Sequence, residues 1–325
     1  MIQPDELKLD LPMTIANDVV TTTTKVWEIL TASRDGDLVR TRHLVSEAPE
    51  LAYAQYNYTP PIHFAVREGH TTLVEFLLFE CGAHDPPYRT YPFLDSLQTV
   101  ARDRGFNEIA DMLDRYAGDA SLQKFSGDNG EIHFKRTEIE VEFQKAVNKV
   151  DIEKVERILS EHPEFARDNT FFWGEGILCM PAKGNHRELM KLLMLHGATV
   201  PRVVKWAPAY YFERYDSAEF LLEHGMDANT TSWHHVTLLH DMAKQGDVGR
   251  AKLLLDHGAG LDAIEEEYNS TPLGLAARWG NAEMVQFLLD RGADPNISGA
   301  DWSAPIAWAK KKEHAKIASI LTDAT

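Results

Sequence analysis

Hydrophobic residues recur along this chain at three- and four-residue intervals, in short runs separated by glycine and polar residues. Met284 and Leu288, for example, fall on one face of a predicted helix. Thr271 and Pro272 are typical of a helix start, and Gly292 is typical of the residue that ends a helix. The pattern predicts nine pairs of short helices, beginning near Lys25, Pro60, Ser96, Val141, Gly176, Val204, Thr237, Thr271 and Ala304.

The helix pairs follow a regular period. The residue between the two helices of a pair falls, in order, at Gly36, Gly69, Gly105, Val150, Asn185, Glu213, Gly246, Gly280 and Glu313. Successive spacings are 33, 36, 45, 35, 28, 33, 34 and 33 residues. Because a single short pair cannot bury its apolar face alone, consecutive pairs are expected to stack and share one continuous core.

The repeated motif is clearest in residues 271–296, which read TPLGLAARWG, NAEMVQFLLD and RGADPN. Residues 60–83 have a related form, PPIHFAVREG followed by HTTLVEFLLFECGA. Both resemble the ankyrin repeat, whose signature joins TPLH and a following glycine to a leucine-rich second helix and a GAD loop. The resemblance covers about nine-tenths of the chain. It implies an all-α, ankyrin-repeat solenoid of about nine helix pairs and a surface that binds other proteins.

The 45-residue spacing divides the repeats into two arrays. It contains a polar stretch, residues 118–140, which is predicted to be a linker or a long hairpin. Residues 25–117 are predicted to form an array of three repeats, and residues 141–325 an array of six. Residues 1–24 include four consecutive threonines, which form helices poorly. They are expected to be an extended or disordered arm whose removal costs little stability.

Each array opens with a similar segment. Residues 46–52 read SEAPELA, and residues 160–166 read SEHPEFA. The match favours an internal duplication. The alternative is that both repeats use a common proline-terminated loop.

Composition narrows the possible functions. The 325 residues include 50 acids and 33 bases, and the formal net charge of −17 would repel nucleic acids and anionic membrane surfaces. No apolar run is long enough to span a membrane, and no secretory signal is visible. Two cysteines, Cys81 and Cys179, suit a reducing compartment. An acidic cytoplasmic protein without nucleic-acid or membrane partners is therefore expected.

The sequence lacks the residue patterns that hold metals or nucleotides. The adjacent His234 and His235 would point to opposite faces of an extended hairpin, so they would not chelate one ion together. Phosphate-binding loops and nucleophile elbows are absent, and Cys179 is interpreted as a packed residue. The acidic run Glu265–Glu267 is interpreted as a solvated charge cluster. No metal or cofactor is predicted.

In the ankyrin family, the recognition surface comes from hairpin tips and from the two residues before the inter-helix position. In this chain these places hold many aromatic and basic residues, which favour binding at an interface. Trp27, Trp206 and Trp308 fall at core positions instead. We expect an aromatic-lined concave groove that binds a partner through Tyr56, Phe172, Trp173, Tyr211, Trp233, His234, Lys244, Tyr268, Arg278 and Trp279.

Two functions are consistent with such a groove. The first is a protein-interaction module that grips a protein or peptide segment, with acidic residues of the segment contacted by Lys183, Lys244 and Arg278. The second is a small-molecule binding protein or an enzyme, with acid–base work done by Glu175, Glu213, His234 and Arg278. Because no part of the chain is left for a separate catalytic domain, the interaction module is favoured over an enzyme.

Overall fold

The computed structural model of the protein describes residues 1–125 and 130–324. The chain divides into two compact units. The three-pair unit comprises Asp5–Lys135, and the six-pair unit comprises Arg136–Thr325 together with Met1–Pro4. The described residues contain nine helix pairs, so the all-α prediction is confirmed. In each pair, we call the first helix the leading helix and the second the trailing helix.

In the three-pair unit, consecutive leading helices pack against one another. The leading helices are Thr23–Asp35, Pro61–Glu68 and Leu97–Asp103, and the trailing helices are Leu38–Glu47, Thr71–Glu75 and Asn107–Ala117. The second trailing helix continues as a π-helical segment, Phe76–Glu80. Apolar side chains from both helix layers form the core, in which Ile62, Leu73 and Leu113 are completely buried.

In the six-pair unit, the leading helices also pack side by side in chain order. They are Glu138–Asn148, Cys179–Gly184, Ala207–Tyr210, Leu238–Gln245, Pro272–Arg278 and Pro305–Lys311. The trailing helices are Ile152–Glu161, Arg187–Leu195, Tyr215–Glu223, Val248–Asp256, Ala282–Asp290 and Ala315–Asp323. Met284 and Leu288, which the spacing places on one apolar face, are both completely buried.

Short segments connect and precede the pairs. They comprise the helix Asp5–Lys8, the turn Phe171–Gly174, and the 3-10 segments Ala16–Asp18, Pro49–Tyr53, Ala120–Leu122, Pro163–Arg167 and Asp301–Ser303. Pro49–Tyr53 and Pro163–Arg167 overlap the ends of the two matched sequence segments, so these segments share a local structure. Within the described residues, every helix is too short or too polar to cross a membrane.

The residue between the two helices has a left-handed backbone in eight of the nine pairs, at the positions that the period predicts. Val150, Asn185 and Glu313 adopt this conformation, with φ of 58°, 56° and 59°. Because side chains are unfavourable there, the flanking helices must impose the turn. The prediction is wrong at Glu213, since the leading helix Ala207–Tyr210 is only four residues long and ends early. The other five are Gly36, Gly69, Gly105, Gly246 and Gly280.

The N-terminal arm is ordered, so the disordered alternative is wrong. Strands β1 (Pro12–Thr14) and β2 (Val20–Thr22) form an antiparallel hairpin. Met13 on β1 and Leu7 in the preceding helix are completely buried. The arm therefore contributes to the core of the three-pair unit.

The predicted linker, residues 118–140, also contains regular structure. Strand β3 (Glu131–Ile132) pairs antiparallel with β1, and the small sheet has the order β2-β1-β3. The leading helix of the fourth pair begins at Glu138. Residues 126–129 of the predicted linker lie outside the described residues.

Candidate functional site

The leading helices of the six-pair unit end in basic and aromatic side chains. Because these helices pack side by side, equivalent positions on consecutive pairs form a row. Lys183 is exposed, whereas Lys244 and Trp279 are half-buried and Arg278 is buried. We call this surface the leading-helix row, and define it by Lys149, Lys183, Tyr210, Lys244, Arg278, Trp279, Lys311 and Lys312.

Arg278 is the centre of an aromatic cluster in the row. Its guanidinium carbon lies 3.9 Å from the ring centroid of Tyr268, 4.1 Å from that of Trp279 and 5.2 Å from that of Trp308. The ammonium of Lys244 lies 5.7 Å from the Trp279 ring. Cations so placed are attracted by the negative faces of the rings. The contacts of Arg278 with the rings therefore hold Lys244 and Trp279 in place at the surface.

A second cluster lies at the hairpin tip before the fifth pair. The side chain of Trp173 is exposed, and its backbone carbonyl accepts a hydrogen bond from Lys205 Nζ. The Lys205 ammonium lies 5.7 Å from the ring of Trp206, which stacks obliquely on Tyr210 with ring centroids 6.2 Å apart. The ammonium of Lys183 lies 5.4 Å from the Tyr210 ring. The exposed Trp173 is thus linked by contacts to the leading-helix row.

A cleft of about 330 Å³ opens beside the shortened leading helix of the sixth pair. Its apolar floor includes the buried Phe212 and Met242, and its rim includes the exposed Glu213 and Gln245. Arg250 closes one side and donates a 2.6 Å hydrogen bond to the carbonyl of Glu213. The cleft therefore offers an apolar recess with a polar rim next to the row.

The expectation that all ten predicted binding residues face solvent is wrong for seven. These seven side chains are 0% to 6% exposed: Tyr56, Phe172, Tyr211, Trp233, His234, Tyr268 and Arg278. The hairpin tip at Tyr56 folds inward, since its hydroxyl donates a 2.7 Å hydrogen bond to Glu6. Tyr211, at the end of a leading helix, also points inward, and its hydroxyl donates a hydrogen bond to the carbonyl of Glu175. Accessible surface remains on Trp173, Lys244 and Trp279.

The tryptophans expected in the core differ in their burial. Trp308 is completely buried, as predicted. Trp27 and Trp206 are only half-buried, so the core prediction is wrong for both. Trp206 begins the shortened sixth pair, where four helical residues give it too little structure to pack against. The sequence signal that could have indicated its exposure is the neighbouring Lys205.

The four candidate acid–base residues lie in different environments. The Glu175 carboxylate is buried and accepts hydrogen bonds from the backbone N–H groups of Lys205 at 2.8 Å and Trp206 at 3.3 Å. His234 Nδ1 lies 2.6 Å from a carboxylate oxygen of the equally buried Glu267. Glu213 is exposed at the cleft rim, whereas Arg278 is stacked between rings. These contacts give Glu175 and His234 roles in positioning loops.

The interpretation of Glu265–Glu267 as a solvated charge cluster is wrong for its two outer members. Glu265 and Glu267 are buried. The Glu265 carboxylate accepts hydrogen bonds from the backbone N–H groups of Glu267 at 2.6 Å, Tyr268 at 3.0 Å and Ser270 at 3.2 Å. Burial and the nearby charge of Glu267 raise the pKa of Glu265 to about 8. The carboxylate therefore fixes the hairpin before the eighth pair.

Both cysteines are unbonded and buried. Burial raises the pKa of Cys81 to about 11 and raises the pKa of Cys179 above its usual range. A thiol that stays protonated is a poor nucleophile. These environments agree with the interpretation of Cys179 as a packed residue.

Comparison with protein families identifies the same repeats. Residues 207–299 match the family described as ankyrin repeats (3 copies), and residues 58–91 match the family described as ankyrin repeat. The first match lies in the six-pair unit and the second in the three-pair unit.

Segments of two curated proteins are similar to part of this chain. Palmitoyltransferase Hip14 of Drosophila melanogaster is 40% identical over 81 residues, which are 25% of this chain and 13% of that protein. Palmitoyltransferase ZDHHC13 of Homo sapiens is 34% identical over 113 residues, which are 35% of this chain and 17% of that protein. The chain thus spans less than one-fifth of either relative.

Among solved structures, an ankyrin repeat domain from Acinetobacter baumannii AYE matches with a TM-score of 0.48 and 22% identity, over 57% of this chain and 98% of that domain. The two family matches and the nine observed helix pairs show that this chain is an ankyrin-repeat protein, built from repeats that serve as protein-interaction modules.

Proposed function

We propose that this protein binds a segment of another protein along the leading-helix row and the adjoining tip at Trp173. The accessible side chains there are aromatic and basic, and such residues contribute most to binding at protein interfaces. Of the residues predicted to bind the partner, Trp173, Lys244 and Trp279 keep that role in this proposal. Lys183 and Tyr210 extend the surface between them.

The conformation of Trp173 is the observation that carries the proposal. Its side chain is 57% exposed, and its backbone φ is 62°. The preceding Phe172 is also left-handed, with φ of 51°. Each such residue costs about 1–2 kcal/mol, and an exposed tryptophan recovers little of that cost by burial. Because the fold retains these two unfavourable backbone conformations without burying Trp173, we infer that the Trp173 side chain is held at the surface to contact a partner.

The cleft beside the sixth pair supports the same function. It lies between the two clusters along the chain, and its floor of Phe212 and Met242 is apolar. An apolar side chain of the bound segment would displace water there and gain burial free energy. The polar rim at Glu213 and Gln245 would contact the backbone of the segment.

The proposal includes a cytoplasmic location. Support comes from the two unbonded, buried cysteines, which suit a compartment where thiols stay reduced.

Site-specific photo-crosslinking tests the function. The photoreactive residue p-benzoylphenylalanine would replace Trp173, Gln245 or Leu195 in the full chain, which would then be irradiated in an extract of its own cells. Leu195 is the matched control because it is apolar, 83% exposed and lies on a trailing helix of the same unit. We expect the same crosslinked protein from positions 173 and 245, and not from position 195.

A second variant separates specific from adventitious capture. Trp173→Ala, added to the chain that carries the crosslinker at position 245, should remove most of the product, because it deletes an anchor without touching the crosslinking position. Equal yields with and without Trp173, or an equal yield from position 195, would contradict the proposed surface.

A further inference from the structure

The leading helix of the fourth pair carries a stripe of charged and apolar side chains along one side. The stripe comprises Glu138, Val141, Glu142, Lys145 and Lys149, which recur every three or four residues and therefore lie on one helix face. Four of these side chains are exposed, and Glu142 is half-buried. A cleft of about 460 Å³ opens along this face, and all five residues line it. We call this surface the fourth-pair stripe.

The charges of the stripe are available to a ligand. Within the described residues, the side chains of Glu138, Lys145 and Lys149 form no ion pair or hydrogen bond. Glu142 lies 2.9 Å from the ammonium of Lys154 and 3.5 Å from a second base of the same trailing helix. Because these pairs are exposed to solvent, exchanging them for another cation costs little. The two acids and two bases of the stripe cancel each other in charge.

The order of the signs makes the stripe complementary to itself. Both acids lie towards the amino end of the helix, and both bases lie towards its carboxyl end. When a second copy of the helix lies antiparallel about a two-fold axis, Glu138 faces Lys149 of the other copy. Glu142 faces Lys145 in the same way, because both pairs are centred on the middle of the stripe. The symmetry makes each of these contacts twice.

An apolar side chain lies between the charges. Val141 is 37% exposed. In the same antiparallel arrangement it faces Ala146 of the other copy, which lines the same cleft and is small enough to leave room for it. The helix dipole favours acids near the amino end and bases near the carboxyl end, and the end of a repeat array requires polar residues. Neither requirement accounts for an exposed valine in the stripe.

We infer that the fourth-pair stripe binds a second copy of this chain, through antiparallel pairing of the two Glu138–Asn148 helices. The occupant follows from charge. Each copy carries a formal net charge of −17, so two copies repel each other over most of their surfaces and approach most readily where the charge cancels. The second copy supplies acids and bases there in the complementary order. The inference is independent of the proposed function, because the stripe shares only Lys149 with the leading-helix row and does not include Trp173.

The contact area limits the strength of this dimer. An 11-residue helix is about 16 Å long, so its face buries less than the roughly 800 Å² per partner of a standard interface. We therefore expect a dissociation constant on the order of 100 µM. Sedimentation equilibrium of the full chain from about 10 to about 500 µM should show the average mass rising from that of one chain towards that of two. A single chain at every concentration would overturn the inference and leave the stripe as a solvated end of the array.

Charge reversal tests the pairing. Glu138→Lys sets like charges against each other at both contacts with Lys149 and should weaken the dimer by about tenfold. General repulsion predicts the opposite, because the same change lowers the net negative charge of the chain. Glu153→Lys is the matched control, since Glu153 is exposed and lies in the first turn of the next helix, outside the stripe. The control should change the dissociation constant by less than about twofold.

A double variant tests the direction of the pairing. Lys149→Glu added to Glu138→Lys exchanges the signs at both contacts, so binding should return to within about threefold of the parent. Because the chain must fold to recover the dimer, this recovery also excludes a folding defect as the cause of the loss. Equal effects of Glu138→Lys and Glu153→Lys, or no recovery in the double variant, would overturn the inference.

Photo-crosslinking locates the contact independently. The photoreactive residue p-benzoylphenylalanine would replace Val141 or, as the control, Ile152, which is apolar, 38% exposed and in the trailing helix of the same pair. In the purified chain at about 100 µM, we expect crosslinked dimers joined within residues 138–149 from position 141, and none from position 152. Equal yields from the two positions would overturn the inference. In an extract of its own cells, capture of a different protein in preference to this chain would overturn it in favour of a foreign partner.

Discussion

The indole Nε1 of Trp308 donates a 2.9 Å hydrogen bond to the hydroxyl oxygen of Ser270. Trp308 lies in the leading helix of the ninth pair, whereas Ser270 lies in the hairpin before the eighth, and both side chains are completely buried. The Ser270 hydroxyl is also 3.0 Å from the carbonyl of Tyr268. A single buried hydroxyl therefore joins the last two pairs.

Ser270→Ala should destabilise the six-pair unit by about 1–3 kcal/mol, because it leaves the buried indole N–H of Trp308 without its acceptor. Urea unfolding followed by tryptophan fluorescence would measure the loss. Ser160→Ala, at an exposed serine of the same unit, is the control and should stay within about 0.5 kcal/mol of the parent. Similar losses in both variants would refute the role of this hydrogen bond.

Trp233→Ala should cost about 3–5 kcal/mol of stability, because a 2% exposed indole is replaced by a cavity. Trp206→Ala should cost less than half as much, since that side chain is only half-buried. This order is the reverse of the one expected from the sequence. Trp173→Ala should leave the unfolding free energy nearly unchanged. A Trp206 variant as unstable as the Trp233 variant would show that the burial pattern is incorrect.

Val150→Gly should stabilise the six-pair unit by about 0.5–1 kcal/mol. Val150 has a left-handed backbone with φ of 58°, and glycine adopts this conformation without the steric cost that a β-branched residue incurs. Glu156→Gly, at an exposed position inside the next helix, should instead cost about 1 kcal/mol. Chemical denaturation would measure the free energy of unfolding of both variants. A loss of stability in Val150→Gly would contradict the proposed steric cost of valine at this turn.

Met13→Ala and Leu7→Ala should each destabilise the three-pair unit by about 2–5 kcal/mol, because both side chains are completely buried. Leu9→Ala, at a 45% exposed position of the same arm, is the control. Hydrogen exchange of peptides from residues 61–117 would localise the effect. Deleting residues 1–20 should therefore be costly, contrary to the expectation from the sequence. If exchange protection is unchanged after that deletion, the expectation from the sequence, that removal of the arm costs little stability, would be correct.

The three-pair unit should lose stability as the pH falls from about 6.5 towards 4. Burial, and to a lesser degree the charge of Arg89, lowers the pKa of His84 to about 4. In this window the unfolded chain binds a proton at His84 that the folded chain excludes, so acid favours unfolding.

His84→Phe should remove about 2 kcal/mol of the loss between pH 7 and pH 5. Phenylalanine keeps the packing on Tyr116, and both ring nitrogens of His84 lack a hydrogen-bond partner within the described residues, so the substitution forfeits no such bond. Hydrogen exchange of peptides from residues 81–117, compared between the variant and the parent at pH 7 and pH 5, would measure the change. An unchanged pH dependence would show that His84 is not the responsible group.

Local patterns predicted the helix pairs and their turns. The period located left-handed turns even at Val150, Asn185 and Glu313, where no glycine marks them, because the two flanking helices fix the position of the turn within each repeat. It failed at Glu213, where a four-residue helix breaks the regular geometry on which the period depends. The cationic ends of the leading helices are likewise visible in the sequence once the helix bounds are known.

By itself, the sequence determined the number of helix pairs, their order and their family, since each depends on residues within one repeat. Tertiary structure alone decided which aromatic side chains face solvent, because the hairpin tips bury Phe172, Trp233 and His234 but expose Trp173. Tertiary structure also decided that the N-terminal arm is ordered, since strand β1 pairs with Glu131 and Ile132, more than one hundred residues away. Pairing over such a separation follows from packing of the whole unit and leaves no local pattern in the chain.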